Sequence, residues 1–395
     1  MAPSSRPCPS ETGAIRPPDL VIVTDDWDPE GGGRERYVAE LASWLGGSGM
    51  HVLVLCRRSR GVPAAVVTVQ AVRGPTMLAE PRLSRELSRL RRRFPGIPVL
   101  TTRPQVEATH YQLHSGIQRE GLEAERRSYR SWLRRALFWP TLRLNPSRLR
   151  RLAAERGVLS GGSRVRLMAF THATAAKLVA GLGVDRRRVS ICPLGIDLER
   201  FHAPVVESRD APGPPARALR TVFVGHNFAL KGLRQAIEAV ARGRARGLAV
   251  DLTVVGSCRD SGWRRLADRL GAAGHVHFAG ALPQAELARL YRESDVLLHP
   301  TYFDAFARVM LEALASGCAV VATRACEAAE LLQGEAAGIV IDDPEDVQAI
   351  TDALEGLCVA GRLATMRPAA VSLARRFPFR GHAEAVRAWL RGAPS

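Results

Sequence analysis

Acidic side chains are scarce in this chain. Its 395 residues carry 39 Asp and Glu against 56 Lys and Arg, a formal net charge of +17. Such a balance favours an anionic partner: nucleic acid, an acidic membrane surface or a phosphorylated substrate. Much of the excess is arginine, which a GC-rich genome also produces, so charge alone does not choose among them. Paired cysteine spacings are missing too. Cys8, Cys56, Cys192, Cys258, Cys318, Cys326 and Cys358 contain no C-x-x-C and are odd in number. Free thiols in a reducing compartment fit this better than a disulfide framework or a zinc site. No apolar run is long enough to span a bilayer. Residues 1–18 are rich in Pro and Ser without an apolar core, which predicts a loose tail and not a signal peptide. No solenoid repeat and no nucleic-acid recognition module with interleaved aromatics is present, so no nucleic-acid partner is expected.

What is present is a globular composition, 46% apolar and 24% charged. It suits one or two domains with a sizeable core. Leu20–Thr24 reads as a strand, Asp25–Gly33 as a glycine-bearing turn, and a helix from about Arg34 carries Tyr37, Leu41 and Leu45 inward. With a second strand at His51–Leu55 this opens a doubly wound α/β domain. Gly32 and Gly33 let the backbone approach a phosphate, with helix-start N–H groups behind them. Asp26-Trp27-Asp28 has D-x-D spacing, but its place before a helix makes ordinary capping the better reading. Strands are expected at Val66–Val69 and Pro98–Leu100, with a basic helix, Arg82–Arg93, between them. His110 and His114 follow in a stretch read as a loop. Tyr129–Arg151 mixes Trp132, Leu133, Leu137, Phe138, Trp139 and Leu142 with arginines and has no acid. It reads as a basic amphipathic segment for an anionic membrane face, or as two surface helices broken at Pro140 and Pro146.

The Pro- and Ala-rich stretch 203–218 reads as an interdomain linker. Beyond it, Thr221–Gly225 forms a strand whose loop carries His226 and Lys231-Gly232 before a helix. Lys231 is placed to neutralise a diphosphate. The most informative stretch is Asp295–Thr323. Val296–Leu298 is a buried strand, and His299–Phe303 a loop. A helix is expected from about Ala305 with Phe306, Val309, Met310, Ala313 and Leu314 at helical spacing. Gly317 ends it, and Ala319–Ala322 is the next strand. Asp304 and Glu312 stand eight residues apart, about 12 Å along a helix and on nearly one face. They can hold two ends of one polyol, with free N–H groups at the helix start for an anion. Equally, Asp304 reads as a helix cap and Glu312 as a solvated helix residue.

HPTYFDAFARVMLEALASGCAVVAT resembles the E-x7-E region of the retaining glycosyltransferases of family 4, which have the GT-B fold of two Rossmann-like domains facing across a cleft. Asp304 replaces the usual Glu, Ala307 the usual Gly and Ala319 the usual Pro. Val189–Phe201 resembles the segment that closes the family's first domain, and Lys231-Gly232 keeps its K-G pair, while His226 stands where an Arg is usual. The resemblance implies domains at 19–202 and 219–372, with 373–395 a last helix packing back on the first. It implies a metal-free, cofactor-free transfer, with retention, of a hexose from a nucleotide sugar. Likeness to the lipopolysaccharide core glucosyltransferases further suggests a UDP-sugar and a glycan or glycolipid acceptor at the inner face of a membrane. Carried onto this chain, Gly32, Gly33, His226, Lys231, Ala305, Phe306, Ala307 and Arg308 meet the donor diphosphate. Asp304 holds sugar hydroxyls, Glu312 the ribose, and His110 and His114 the acceptor side. Two rivals remain: a nucleotide-sugar-binding module whose altered motif no longer transfers, and a basic nucleic-acid binder.

Overall fold

The computed structural model describes residues 17–72, 76–204, 218–257 and 260–392. Nearly all of the expected tail, residues 1–16, and of the expected linker, residues 205–217, lies outside them. Short apolar runs fix the strands, because each must bury both faces between helices. The first sheet has seven: β1 Leu20–Val23, β2 Val52–Cys56, β3 Val67–Ala71, β4 Val99–Thr101, β5 His110–Gln112, β6 Arg166–Ala169 and β7 Val189–Ile191. All pair in parallel, in the order β3-β2-β1-β4-β5-β6-β7. The second has six: β8 Leu219–Val224, β9 Val250–Val255, β10 Val276–Gly280, β11 Val296–His299, β12 Ala319–Thr323 and β13 Gly338–Ile341. Its order is β10-β9-β8-β11-β12-β13, again parallel. Helices cover both sheets, giving the α/β architecture of two Rossmann-like domains.

In the second sheet the strand order reverses between β8 and β11. Open parallel sheets bind ligands at such a point, beyond the carboxyl ends of the strands. The loop after β8 carries Lys231, and the loop after β11 carries Asp304, so topology brings them together. Gly232 fixes the approach. Its φ is +80°, and a Cβ there would lie 1.9 Å from the Pro300 carbonyl oxygen. Only glycine fits where these loops cross.

The C-terminal segment is two helices, Arg362–Arg375 and Phe379–Leu390, parted before Pro378. The second of them lies within 373–395, where a last helix was expected. The last helix lies against the first domain. Ile196 N donates to Phe377 O, and Phe379 N to Ile196 O, both at 2.9 Å. Trp389 packs edge-on against His110 at 4.6 Å, and Arg166 Nη1 donates to Trp389 O at 2.9 Å. Gly195 permits the crossing, since a Cβ there would fall 2.6 Å from Phe379 Cα.

Two expectations are corrected. The segment after Tyr129 forms helices Trp132–Leu142 and Pro146–Leu159. The first runs through Pro140 and ends two residues later; a proline so near the end disturbs only the exposed carbonyl one turn back. His110 lies in strand β5 and not in a loop.

Candidate active site

A cleft of about 300 Å³ opens between the domains. The second domain lines it with Leu230, Lys231, Phe303, Asp304 and Ala305, the first with His114, Gln118, Glu125, Arg148 and Arg151 among others. Lys231 Nζ lies 2.5 Å from Asp304 Oδ2 and donates to Phe303 O at 3.2 Å. An ammonium has three donors, so one remains for the cleft. Asp304 Oδ2 also meets His299 Nε2 at 3.3 Å, and Oδ1 accepts from Phe306 N at 3.3 Å. Burial opposes ionisation of Asp304, but Lys231 and His299 outweigh it and hold the carboxyl well below its usual range. Asp304 therefore first anchors the lysine, and it reaches the cleft with what accepting capacity is left.

Asp304 is not in the helix expected to start near Ala305. The helix runs Arg308–Ala315 with Ala307 as its cap. Asp304 instead forms a short bridge, its N donating to Ala325 O at 3.1 Å and its O accepting from Glu327 N at 2.9 Å. The pair Asp304 and Glu312 thus does not share one helical face. Of the run Ala305–Arg308 expected at the diphosphate, Ala305 lines the cleft. Phe306 packs against Phe170 of the first domain at 6.0 Å, and Ala307 is buried. Arg308 is not a free cation: its Nη2 sits 2.7 Å from Glu40 Oε2 and its Nη1 donates to Gly33 O at 3.3 Å.

Glu312 is neither solvated nor on the cleft wall. It is 1% exposed, with Tyr291 Oη donating to Oε2 at 3.3 Å. Burial raises its pKa, while nearby Arg36 and Arg308 pull it back. Arg36, Glu40, Arg308 and Glu312 form a charged seam where the helix Gly33–Gly47 meets the second domain. Along the same boundary Gly32 faces His226: a Cβ on Gly32 would stand 3.6 Å from His226 Nε2. His226 Nδ1 pairs with Ser257 Oγ at 3.1 Å. Asp26 pairs with Arg58 at 2.9 Å, and among the described residues no cluster of His, Cys, Asp and Glu has a metal-holding arrangement.

His114 follows β5 and projects from the first domain. Its ring lies between Tyr37 at 4.4 Å and Phe170 at 4.7 Å. Burial, with Arg34, His382 and Arg308 nearby, holds its pKa well below the usual imidazole range, so the ring is neutral. Its buried Nε2 has no hydrogen-bond partner among the described residues. His110 does not line the cleft; burial against Trp389 and the charge of Arg166 depress its pKa to about 4.

Three groups were not singled out from the sequence. His299 backs Asp304; its signal was its place in the H-P pair at the end of a buried strand. Tyr37 Oη meets His382 Nε2 at 2.9 Å and accepts from Gln112 Nε2 at 2.8 Å, tying the His114 wall to the last helix. Lys177 Nζ bridges Glu120 at 2.7 Å and Glu327 at 3.0 Å across the domain boundary.

Residues 31–200 match the family model described as Glycosyltransferase Family 4, and residues 206–362 the one described as Glycosyl transferases group 1. A crystal structure of WaaG, a glycosyltransferase involved in lipopolysaccharide biosynthesis, superposes with a TM-score of 0.77 over 95% of this chain and 100% of that one, at 22% identity. The chain has the GT-B fold, and its two halves each match a glycosyltransferase family model. It is 35% identical over 256 residues to D-inositol 3-phosphate glycosyltransferase 2 of Catenulispora acidiphila, covering 61% of this chain and 59% of that protein. It is 29% identical over 216 residues to the lipopolysaccharide glucosyltransferase WaaG of Escherichia coli, covering 53% of this chain and 57% of that protein. The chain thus aligns with a little over half the length of these relatives. Anabaena Alr3699/HepE in complex with UDP-glucose shares the fold, with a TM-score of 0.69 at 15% identity over 94% of this chain and 99% of that one.

Proposed function

We propose that the chain transfers a hexose from a nucleotide diphosphate sugar, a UDP-sugar in the first instance, to a hydroxyl of a glycan or glycolipid acceptor, with retention at the anomeric carbon. The observation that carries this is the meeting of Lys231 and Asp304 from one domain with His114 from the other around a single cleft. Charge builds on the leaving phosphate as the glycosidic bond breaks. Lys231, held in place by Asp304 and Phe303 O, meets that charge with its free donor, so positioning and electrostatics supply the catalysis. No metal is invoked in this reading. Neutral His114 offers its unpartnered Nε2 to a sugar hydroxyl. Same-face attack assisted by the donor phosphate accounts for retention without a protein nucleophile. Glu312 takes the ribose once the seam around it parts.

The acceptor side points to a membrane surface. Trp132, which opens one arginine-bearing helix, is 78% exposed, and Leu144, in the turn before the next, is 82% exposed. No described helix is long and apolar enough to cross a membrane. The reading is therefore peripheral contact with anionic lipid on a cytoplasmic face.

A thermal-shift screen of nucleotide sugars tests the donor, because a ligand of the folded form raises its melting point. UDP-glucose or a related UDP-sugar is expected to stabilise the protein and to be turned over. Glu312→Gln, which preserves shape and the Tyr291 contact, is expected to keep the fold and lose transfer. Near-normal turnover in that variant would defeat the ribose assignment. No shift with any nucleotide sugar would defeat the reading as a whole.

A further inference from the structure

A second cleft, of about 340 Å³, is lined by Arg127, Arg130, Arg135, Arg234 and Glu345. We propose that it is a phosphate site, separate from the donor diphosphate site, that bridges the two domains. Arg127 ends the helix Gln118–Ser128, and Arg130 and Arg135 follow it, all in the first domain. Arg234 lies in the first turn of the helix Leu233–Ala245, and Glu345 precedes the helix Val347–Leu357, both in the second.

The charges do not balance. Four guanidinium groups face Glu345 in the lining, with Glu238 at 3.4 Å from Arg234 and Asp343 at 3.5 Å from Arg127 beyond it, so positive charge remains in excess. Glu345 is already engaged, by Arg234 at 2.6 Å and by the Tyr302 hydroxyl, with Arg135 at 3.9 Å. Among the described residues the carboxylate within salt-bridge distance of Arg127 is Asp343, at 3.5 Å. Arg130 has no carboxylate partner among the described residues and is exposed. Converging guanidinium groups repel one another, and an anion between them removes that cost. Their planar forks match phosphate oxygens two at a time.

Position gives the site a consequence. Arg234 is three residues from Lys231, and Tyr302, which contacts both Arg234 and Glu345, precedes Phe303 on the wall of the first cleft. An anion held by arginines of both domains stabilises the arrangement in which Lys231 and His114 face one cleft. The phosphate arrives either on the acceptor or as a free ion; the recognising chemistry is the same.

The test uses the full chain with UDP saturating, so that the first cleft is filled. Inorganic phosphate and glycerol 3-phosphate are titrated by calorimetry, with glycerol as the uncharged control. Saturable binding of the phosphates and none of glycerol is expected. Arg130→Gln, and the double variant Arg127→Gln with Arg135→Gln, are expected to weaken phosphate binding tenfold or more while changing UDP affinity less than twofold. No saturable binding beside UDP, or binding that these variants leave unchanged, overturns the proposal. The source is read from UDP-glucose turnover. If glycerol 3-phosphate raises it in the wild type and inorganic phosphate does not, the phosphate belongs to the acceptor. An equal response to inorganic phosphate makes the free ion the ligand. Either response, absent in Arg130→Gln, upholds the site.

Discussion

Arg308 Nη2 lies 2.7 Å from Glu40 Oε2, across the boundary between the two domains. The arginine side chain is 7% exposed and the glutamate 24%. Attraction in so sheltered a place offsets a desolvation cost, and removing one partner exposes that cost. Glu40→Ala is expected to destabilise the protein by about 3 kcal/mol. Pairing Glu40→Leu with Arg308→Met is expected to restore most of the loss. Denaturant melts of the wild type and the two variants check both statements; equal stability of wild type and Glu40→Ala would show the pair to be inert.

The Lys231–Asp304 pair makes a kinetic prediction. Asp304→Asn leaves the lysine with a weaker, neutral anchor, and Lys231→Ala removes the cation. Each is expected to lower kcat by roughly 10²–10³-fold, with circular dichroism unchanged. Asp304→Glu, which keeps the charge, is expected to recover part of the loss. Turnover of UDP-glucose at saturation is the measurement, and a rise in KM alone would move both residues from catalysis to binding.

Gly232→Ala tests the loop crossing. The added methyl meets the Pro300 carbonyl oxygen at 1.9 Å on a left-handed backbone. A loss of about 2 kcal/mol or more is expected. Because the strained residue adjoins Lys231, activity is expected to fall further than stability. A variant as stable as the wild type would mean that the crossing loops give way easily.

Glu155 makes a pH prediction. It is 4% exposed, and its carboxylate accepts from Gln118 N at 2.9 Å. Burial raises its pKa to about 7, against an ordinary value of 4.5. A carboxyl with a raised folded pKa favours folding fully below its unfolded pKa, and that contribution fades as pH rises through the folded value. Between about pH 4.5 and 7 the wild type is expected to lose about 3 kcal/mol relative to Glu155→Gln. Melting curves of both proteins across this range check it; parallel curves would place Glu155 at an ordinary pKa.

Much of the fold was legible because parallel strands are buried on both faces and so appear as short apolar runs. The strand at His110–Gln112 escaped because it is three residues long and polar at both ends. Asp304–Ala307 suits a helix by composition, yet its backbone is held by Ala325 and Glu327, so tertiary contacts overrode local preference. That Lys231 and Asp304 line one cleft was readable because each lies in a loop following a strand of the second sheet, Lys231 next to Gly232 and Asp304 four residues after Pro300. The roles of Arg308 and Glu312 were not readable. Their surroundings, Glu40 and Arg36, lie more than 260 residues away, and only the folded chain sets a charge that distant beside them.

The polypeptide passes from one half to the other twice, once between residues 204 and 218 and again where Phe377 and Phe379 pair with Ile196. The second crossing is fastened by two main-chain hydrogen bonds to Ile196, which tie the last helix to the first half. Severing the chain just before Pro378 would leave the stretch between residues 204 and 218 as the sole covalent link between the halves, with the last helix held to the first half by hydrogen bonds and packing alone.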